Sequence, residues 1–220
     1  MPRQARIVVP DTPHHVTQRG NYQQKVFDHE SHYKQYCEWM NDCALECDLK
    51  ILAYCLMDNH VHFITVPKKE IDLAKVFKTI HARYAHYMNK QRGVKGHLWQ
   101  GRFYSCILGD THLYRAIRYT ENNPVRIKKV RDAWEYEWSS ASDHVGNREK
   151  GPIKLTNYET MTFKEWRDYL KENDRDIVDE IRKKTNRGLA VGTDKFVKAL
   201  EKTLNRSLKY SRQGRPAKER

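Results

Sequence analysis

Two histidines separated by one residue are the strongest chemical signal in the chain. His60 and His62 flank Val61 inside an apolar run typical of a β-strand. Alternate residues of a strand point to the same face of its sheet, so both imidazoles would project together. Two neutral imidazoles suit a divalent metal ion and leave most of its coordination sphere open for a substrate oxygen. The pair alone is a weak signal, because two half-buried, hydrogen-bonded histidines would give the same pattern.

A tyrosine farther along the chain could supply a nucleophile beside that metal. Tyr119 lies in a predicted helix but outside its apolar stripe, with Arg118 before it and Arg126 after it. A phenol has an ordinary pKa near 10, so it needs nearby positive charge or a polarised phosphate to attack well. Asn123 follows one helical turn later, and its amide oxygen could complete the metal site. The alternative is a packing aromatic, one of 13 tyrosines.

The composition favours a nucleic acid as the partner. The 220 residues include 41 Lys and Arg against 28 Asp and Glu, a formal charge of +13. Such a surplus attracts polyanions. No apolar run is long enough to cross a membrane, residues 1–6 lack the apolar core of a signal peptide, and the five cysteines show no disulfide framework. We therefore expect a cytoplasmic protein with no membrane contact, and the metal, tyrosine and charge together suggest a nuclease that cuts DNA covalently.

The elements that must position these residues form an α+β pattern. Strands are predicted at residues 14–19, 49–57, 60–66 and 103–108, and helices at 29–47, 73–88 and from 110 or 111 to about 122. The order β-α-β-β-α-β, followed by a helix, is the ferredoxin-like split βαβ arrangement with an antiparallel sheet. We expect helices to cover one face of this sheet and the other face to be free for the site.

The composition changes near Gly151 and Pro152, which divides the chain into a domain at 1–150 and an extension at 151–220. The extension is predicted to be helical and basic, with a helix at 163–183, a hinge-like loop at 188–192 and a last helix that begins at Thr193. Residues 213–216 resemble half of an AT-hook, which lays an extended Arg-Pro segment in a narrow minor groove. A solvated basic tail is the alternative. We expect the extension to bind DNA.

Residues 98–104 interleave aromatic side chains with cationic and amide groups. If Trp99 is exposed, it could stack on unpaired bases beside Arg102. If the segment is packed, Trp99 and Phe103 belong to the core, and Phe103 is the better core candidate.

Four segments of the chain, in order, resemble a known family. They are residues 14–20 (HHVTQRG), 57–62 (MDNHVH), 98–103 (LWQGRF) and 119–126 (YTENNPVR). This set is similar to the REP-associated tyrosine transposases, which are single-tyrosine HUH proteins related to the transposases of single-strand insertion sequences. The resemblance covers about residues 5–145, so residues 1–150 are identified as an HUH nuclease/transposase domain.

The resemblance implies a mechanism and a substrate. His60 and His62 would bind Mg²⁺ or Mn²⁺ with Asn123 as the third ligand, and Tyr119 would attack a DNA phosphate to leave a 5′-phosphotyrosine link and a free 3′-hydroxyl. The substrate would be single-stranded DNA with short imperfect hairpins, the repetitive extragenic palindromes (REP), in a nucleoid-associated prokaryotic protein. Either a monomer or a homodimer is compatible with the sequence. The expected DNA contacts are Arg19, Trp99, Arg102, Arg118, Arg126, Arg212 and Arg215.

Two other functions are consistent with the same residues. The first is a hairpin-binding repressor on the same fold that has lost catalysis. The second is a metal-dependent phosphodiesterase that uses water, with Tyr119 in a structural role. A denaturant-stable DNA adduct would separate the transposase from both.

Overall fold

The computed structural model describes residues 6–158, 161–172 and 175–208. Its first half contains β1 (His14–Arg19), α1 (Glu30–Glu46), β2 (Lys50–Met57), β3 (His60–Val66), α2 (Asp72–Arg92) and β4 (Tyr104–Leu108). These strands lie side by side in the order β2-β3-β1-β4, and all three pairings are antiparallel. This confirms the predicted ferredoxin-like arrangement.

The second half is mainly helical. It contains α3 (Asp110–Glu121), α4 (Asn123–Arg126), α5 (Ala141–His144), α6 (Phe163–Lys171), α7 (Arg175–Arg187), β5 (Ala190–Val191) and α8 (Asp194–Leu204). Two short 3₁₀ turns lie at Asn21–Gln23 and Ala133–Glu135. The single helix predicted over 163–183 is wrong, because Glu172 has extended backbone geometry and ends α6.

Strand alternation sends the residues of β3 to two different cores. Val61 and Phe63 are fully buried in a cluster with Tyr36 of α1 and Phe77 of α2. The residues between them must therefore point to the opposite face of the sheet. A tight turn at Asp58 and Asn59 pairs Met57 with His60 and so fixes this register.

The second face of the sheet is covered, contrary to the expectation of a free face. Ile64 and Leu108 pack there against Leu113 of α3, Trp166 of α6 and Ile181 of α7. These sheet positions are apolar, and burying them under the helices stabilises the fold because it removes apolar surface from water. This cluster draws side chains from both sides of residue 150, so the two predicted regions share a core.

The hinge-like loop predicted at 188–192 contains a short strand, β5. Ala190 pairs with Ile107 and Val191 with Leu108, and both pairings are parallel. The sheet therefore has a fifth strand at its β4 edge and is mixed rather than purely antiparallel. Leu200 of α8 covers this edge. Within the described residues, no helix has the length and apolarity needed to cross a membrane.

Candidate active site

His60, His62 and Tyr119 meet on the second face of the sheet. The imidazole centroids of the two histidines are 4.9 Å apart. The ring of Tyr119, from the last turn of α3, lies edge-on to His62 at 5.6 Å with the two planes 89° apart. His62 and Tyr119 are each 5% exposed, whereas His60 at the strand end is partly exposed. Tyr119 is buried in the same cluster as Ala116 and Ile117, so the prediction that it lies outside the apolar stripe of its helix is wrong. The fold thus brings together the predicted ligands and the predicted nucleophile.

Each histidine uses one ring nitrogen for support. The Nδ1 of His60 lies 2.6 Å from the side-chain oxygen of Asn59, and the Nδ1 of His62 lies 2.8 Å from Nε2 of His15. An amide oxygen only accepts, so the Nδ1 of His60 carries the proton and its Nε2 has the free electron pair. This outer support is typical of metal-binding histidines.

Burial keeps both histidines neutral. Desolvation is the main cause that lowers the pKa of His60 to about 4, and the positive charges of Arg19 and Arg126 lower it further. Burial likewise holds the pKa of His62 well below its ordinary value. A neutral imidazole is the form that binds a metal ion.

Asn123 lies beside the histidine pair, where it was predicted to be the third ligand. Its side chain interacts with His60, and this interaction opposes the lowering of that histidine's pKa. Its amide nitrogen donates to the backbone oxygens of Tyr119 and Thr120 at 3.1 and 2.9 Å. Its oxygen accepts from Arg126 at 2.5 Å, and a carbonyl oxygen has a second lone pair for another partner.

Arg126 places a positive charge against Tyr119. The guanidinium carbon lies 4.3 Å from the centroid of the tyrosine ring, and Nη1 donates to the backbone oxygen of Tyr119 at 3.0 Å. Burial lowers the pKa of Arg126. Its Nε is buried without a hydrogen-bond acceptor among the described residues, so one donor of this cation is left unsatisfied beside Tyr119.

The three side chains fit a divalent ion. They are all neutral, so the ion would depend on its substrate for a negatively charged ligand. Two imidazole nitrogens and one amide oxygen are ligands that Mg²⁺ or Mn²⁺ accepts. Across the described part of the chain, no cluster of three or more His, Cys, Asp or Glu could hold a metal. The charges that act on His60 are those of Arg19, Arg126 and Arg182, all positive. A phosphate would therefore supply the negative charge that these residues around His60 lack.

Sequence reasoning missed two residues that support His62. His15, on β1, stacks on His62 with centroids 5.0 Å apart and planes 11° apart. Thr185 of α7 lies 2.8 Å from Nδ1 of His15. The shared face of His15 and His62 follows from strand alternation only when the β1–β3 register is known, with His15 opposite Ile64. Nothing local in the sequence marks Thr185.

The predicted DNA contacts divide into exposed and buried residues. Arg19 and Arg102 are exposed, and Arg19 pairs with His60 across the two strands. Trp99 is only 8% exposed and donates its indole N–H to the backbone of His81 at 3.0 Å. Trp99 is therefore a core residue, and its ring is not available to stack on a base.

Arg118 is also placed differently from the prediction. It is 5% exposed, lies over the ring of Tyr169 and donates to the carboxylate of Glu172 at 2.5 Å. The helix periodicity turns Arg118 toward α6, so it links two helices rather than facing solvent. Arg212 and Arg215 lie outside the described residues.

A basic cavity of about 370 Å³ borders Tyr119 on the side of α4 and α6. Its charged lining includes Asp132 and Glu172, but cations predominate. They are Arg115, Arg118, Arg126, Arg131 and Lys171. The histidine pair does not line this cavity, whereas Tyr119 both lines it and contacts His62.

Comparison with known proteins identifies the same region of the chain. A family model described as IS200-like transposase matches residues 9–123, which include His15, the histidine pair, Tyr119 and Asn123. Among curated proteins, none matches the sequence significantly.

Two solved structures resemble the chain. A REP-associated tyrosine transposase bound to a REP hairpin is 19% identical, with a TM-score of 0.57, over 73% of this chain and 95% of that chain. A transposase, so described provisionally, from Deinococcus radiodurans R1 is 21% identical, with a TM-score of 0.38, over 55% of this chain and 96% of that chain. The first of these shares the fold described here.

Proposed function

The chain belongs to the family of IS200-like transposases, and from this premise we propose that it nicks and rejoins single-stranded DNA beside REP-like hairpins through a phosphotyrosine intermediate. The observation that carries the proposal is the position of Tyr119, edge-on to His62 at 5.6 Å and within the same chain. A nucleophile, two neutral imidazoles and a cation meet at one point of the fold. Such a group of residues suits phosphoryl transfer.

The chemistry is an exchange of one phosphodiester for another. The phenolic oxygen of Tyr119 forms a bond to phosphorus as the bond to the 3′-oxygen of the leaving strand breaks. The phenol loses its proton, and the departing 3′-oxygen gains one. The strand that keeps the phosphorus stays attached to the protein by a 5′-phosphotyrosine link. Attack by a free 3′-hydroxyl reverses the step, so no nucleotide energy source is needed.

His60, His62 and Asn123 are the residues that would hold Mg²⁺ or Mn²⁺. When bound there, such an ion supplies Lewis-acid polarisation of the scissile phosphate. Arg126 adds a positive charge over the ring of Tyr119, and its unsatisfied Nε–H supports a role in holding a phosphate oxygen. These residues position the phosphate, and Asn59 and His15 hold the imidazoles in place.

The hairpin substrate is supported by the surface beside the site. Arg19 and Arg102 are exposed, and Arg19 lies opposite His60 on the neighbouring strand. The cavity at Tyr119 is lined mainly by cations. The structurally similar REP-associated transposase is bound to a REP hairpin. Single-stranded DNA running from a hairpin would meet these charges with its phosphates. A chromosomal substrate of this kind would place the protein at the prokaryotic nucleoid.

The test is covalent capture of a labelled oligonucleotide. A hairpin with single-stranded flanks, taken from palindromes near the protein's own gene, is incubated with the protein and Mn²⁺ and separated under denaturing conditions. We expect a slow-migrating adduct that chelator prevents. A native-gel shift without cleavage would support the repressor, and cleavage without an adduct would support the water-dependent phosphodiesterase.

A further inference from the structure

A chain of hydrogen bonds connects α7 to the histidine pair. The hydroxyl of Thr185 lies 2.8 Å from Nδ1 of His15, and Nε2 of His15 lies 2.8 Å from Nδ1 of His62. The same hydroxyl lies 3.1 Å from the sulfur of Cys106 on β4. Thr185, His15 and Cys106 are each 1% exposed and His62 is 5% exposed, so water does not compete for these bonds.

The direction of these bonds decides which nitrogen of His62 can bind a metal. If His15 donates from Nδ1 to the threonine hydroxyl, its Nε2 is an acceptor and His62 must donate from Nδ1. The Nε2 of His62 then keeps its free electron pair. If the hydroxyl donates to His15 instead, every proton in the chain moves. The Nε2 of His62 would then carry hydrogen and could not coordinate an ion.

We propose that Thr185 is a positioning residue that sets the tautomers of His15 and His62, and so presents Nε2 of His62 to the metal ion. In this arrangement the threonine hydroxyl accepts from His15 and donates to Cys106, and each group has one role that fits the distances. This inference rests on the proposed function. It makes α7, which lies beyond the segment matched by the family model, part of the metal site.

Removing the Thr185 hydroxyl would leave the tautomers of His15 and His62 unfixed without removing a proposed metal ligand. In Thr185→Val, Nδ1 of His15 has no acceptor, so either tautomer of His15 becomes accessible and His62 loses its fixed proton. Groups outside the first ligands of metal sites typically contribute 10- to 100-fold to affinity. Because Thr185 acts through His15, we expect the lower end of that range, about tenfold weaker ion binding.

The affinity test compares three substitutions in a Tyr119→Phe background, which prevents cleavage. Free Mn²⁺ is measured by electron paramagnetic resonance with a hairpin oligonucleotide in excess. We expect Thr185→Val to bind Mn²⁺ about tenfold more weakly and Thr185→Ser, which keeps the hydroxyl, to restore binding. The matched control is Thr65→Val. The Thr65 hydroxyl is buried on β3, the strand that carries His62, and has no hydrogen-bond partner among the described residues. Undiminished affinity in Thr185→Val would overturn the proposal.

A second measurement needs no substitution at Thr185. Long-range ¹⁵N–¹H correlation spectra of the metal-free full chain report which nitrogen of each imidazole carries the proton. We expect Nδ1–H for both His15 and His62, and an Nε2–H on His62 would overturn the proposal even if Thr185→Val failed to fold. If the unsubstituted chain forms no adduct and the Tyr119→Phe chain binds no Mn²⁺, the proposed function fails. The tautomers of His15 and His62 in the metal-free chain would still show separately whether Thr185 sets them.

Discussion

Each imidazole of the histidine pair has one ring nitrogen in a supporting contact, which leaves the other nitrogen for the proposed metal ion. Asn59 holds Nδ1 of His60 and His15 holds Nδ1 of His62, while burial keeps both rings neutral. The supporting partners come from a turn residue and a neighbouring strand, so the pair depends on the surrounding backbone for its orientation. Tyr119 then contributes the hydroxyl that is suited to form a covalent link.

Tyr119→Phe should abolish the adduct while DNA binding changes by less than about twofold, since only a hydroxyl is removed and the buried ring remains. The measurement is adduct yield on a denaturing gel together with a native binding isotherm. Tyr104→Phe is the matched control, because Tyr104 is 44% exposed on β4. Normal adduct yield in Tyr119→Phe would place the nucleophile elsewhere.

His60→Ala and His62→Ala should each reduce cleavage by at least about 100-fold, because either change removes one of the few protein ligands for the ion. Initial rates of nicking with saturating oligonucleotide and Mn²⁺ measure this effect. His86→Ala, on the exposed side of α2, should cleave normally. Full activity of the unsubstituted protein in excess chelator would contradict the metal requirement.

The helix that carries Tyr119 is held in place by a buried carboxylate. Glu121, at the end of α3, is 0% exposed. It accepts hydrogen bonds from Ser140 at 2.5 Å, His144 at 2.6 Å and Trp166 at 3.1 Å. These partners come from the segment around α5 and from α6, so the position of Tyr119 depends on packing with the C-terminal helices.

Glu121→Gln should lower the free energy of unfolding by about 1–3 kcal/mol, because an amide nitrogen replaces one acceptor and leaves a buried donor unpaired. Urea unfolding followed by far-ultraviolet circular dichroism gives the value. Glu30→Gln is the control, since Glu30 forms an exposed pair with Lys34, and we expect no measurable change there. Equal stability of Glu121→Gln and the unsubstituted chain would refute the anchoring role.

At the scale of the whole molecule, the C-terminal extension adds an edge strand to the sheet as well as supplying positive charge. β5 pairs with β4, and Leu200 of α8 packs on Ile107. Removing all residues after 188 would therefore expose the β4 edge of the sheet. A loss of DNA binding in that variant could not be told apart from a loss of folding. A shorter deletion separates the two effects.

Deleting residues 209–220 should leave cleavage of saturating single-stranded substrate intact and reduce the salt dependence of DNA binding. For every phosphate that the protein no longer neutralises, the slope of log K against log salt becomes shallower by about 0.7–0.9. The deleted basic residues are Lys209, Arg212, Arg215, Lys218 and Arg220. Replacing these five with serine in the full chain should reproduce the effect. An unchanged slope would limit the tail to solubility.

Buried neutral histidines should make the protein unstable in acid. Burial lowers the pKa of His81 to about 3 and that of His14 to about 4. Below the ordinary pKa of 6.5 the unfolded chain therefore binds more protons than the folded chain, and stability falls as the pH drops. Each such histidine contributes a slope of up to about 1.4 kcal/mol per pH unit.

Urea unfolding at pH 7.5, 6 and 5 measures this dependence. We expect the steepest loss of stability below pH 6, and His81→Phe should have a shallower slope although its overall stability is lower. The same free energy of unfolding at all three pH values would show that these histidines are not buried neutral.

The sequence by itself determined what repeats locally. The two-residue period of β3 predicts that His60 and His62 lie on one face of the sheet. The order of strands and helices led to the ferredoxin-like arrangement. Each of these features depends on residues only a few positions apart, so the pattern along the chain is sufficient to predict them.

Only the tertiary structure decided which partners meet across long distances. Strand register brought His15 beside His62, and packing of α7 brought Thr185 beside His15. Packing against α2 buried Trp99, and packing against α6 buried Arg118, although their sequence context had made both of them candidate DNA contacts. An aromatic or an arginine has the same local pattern whether it faces DNA or another helix. Its role is fixed by the surface packed against it, and that surface comes from distant parts of the chain.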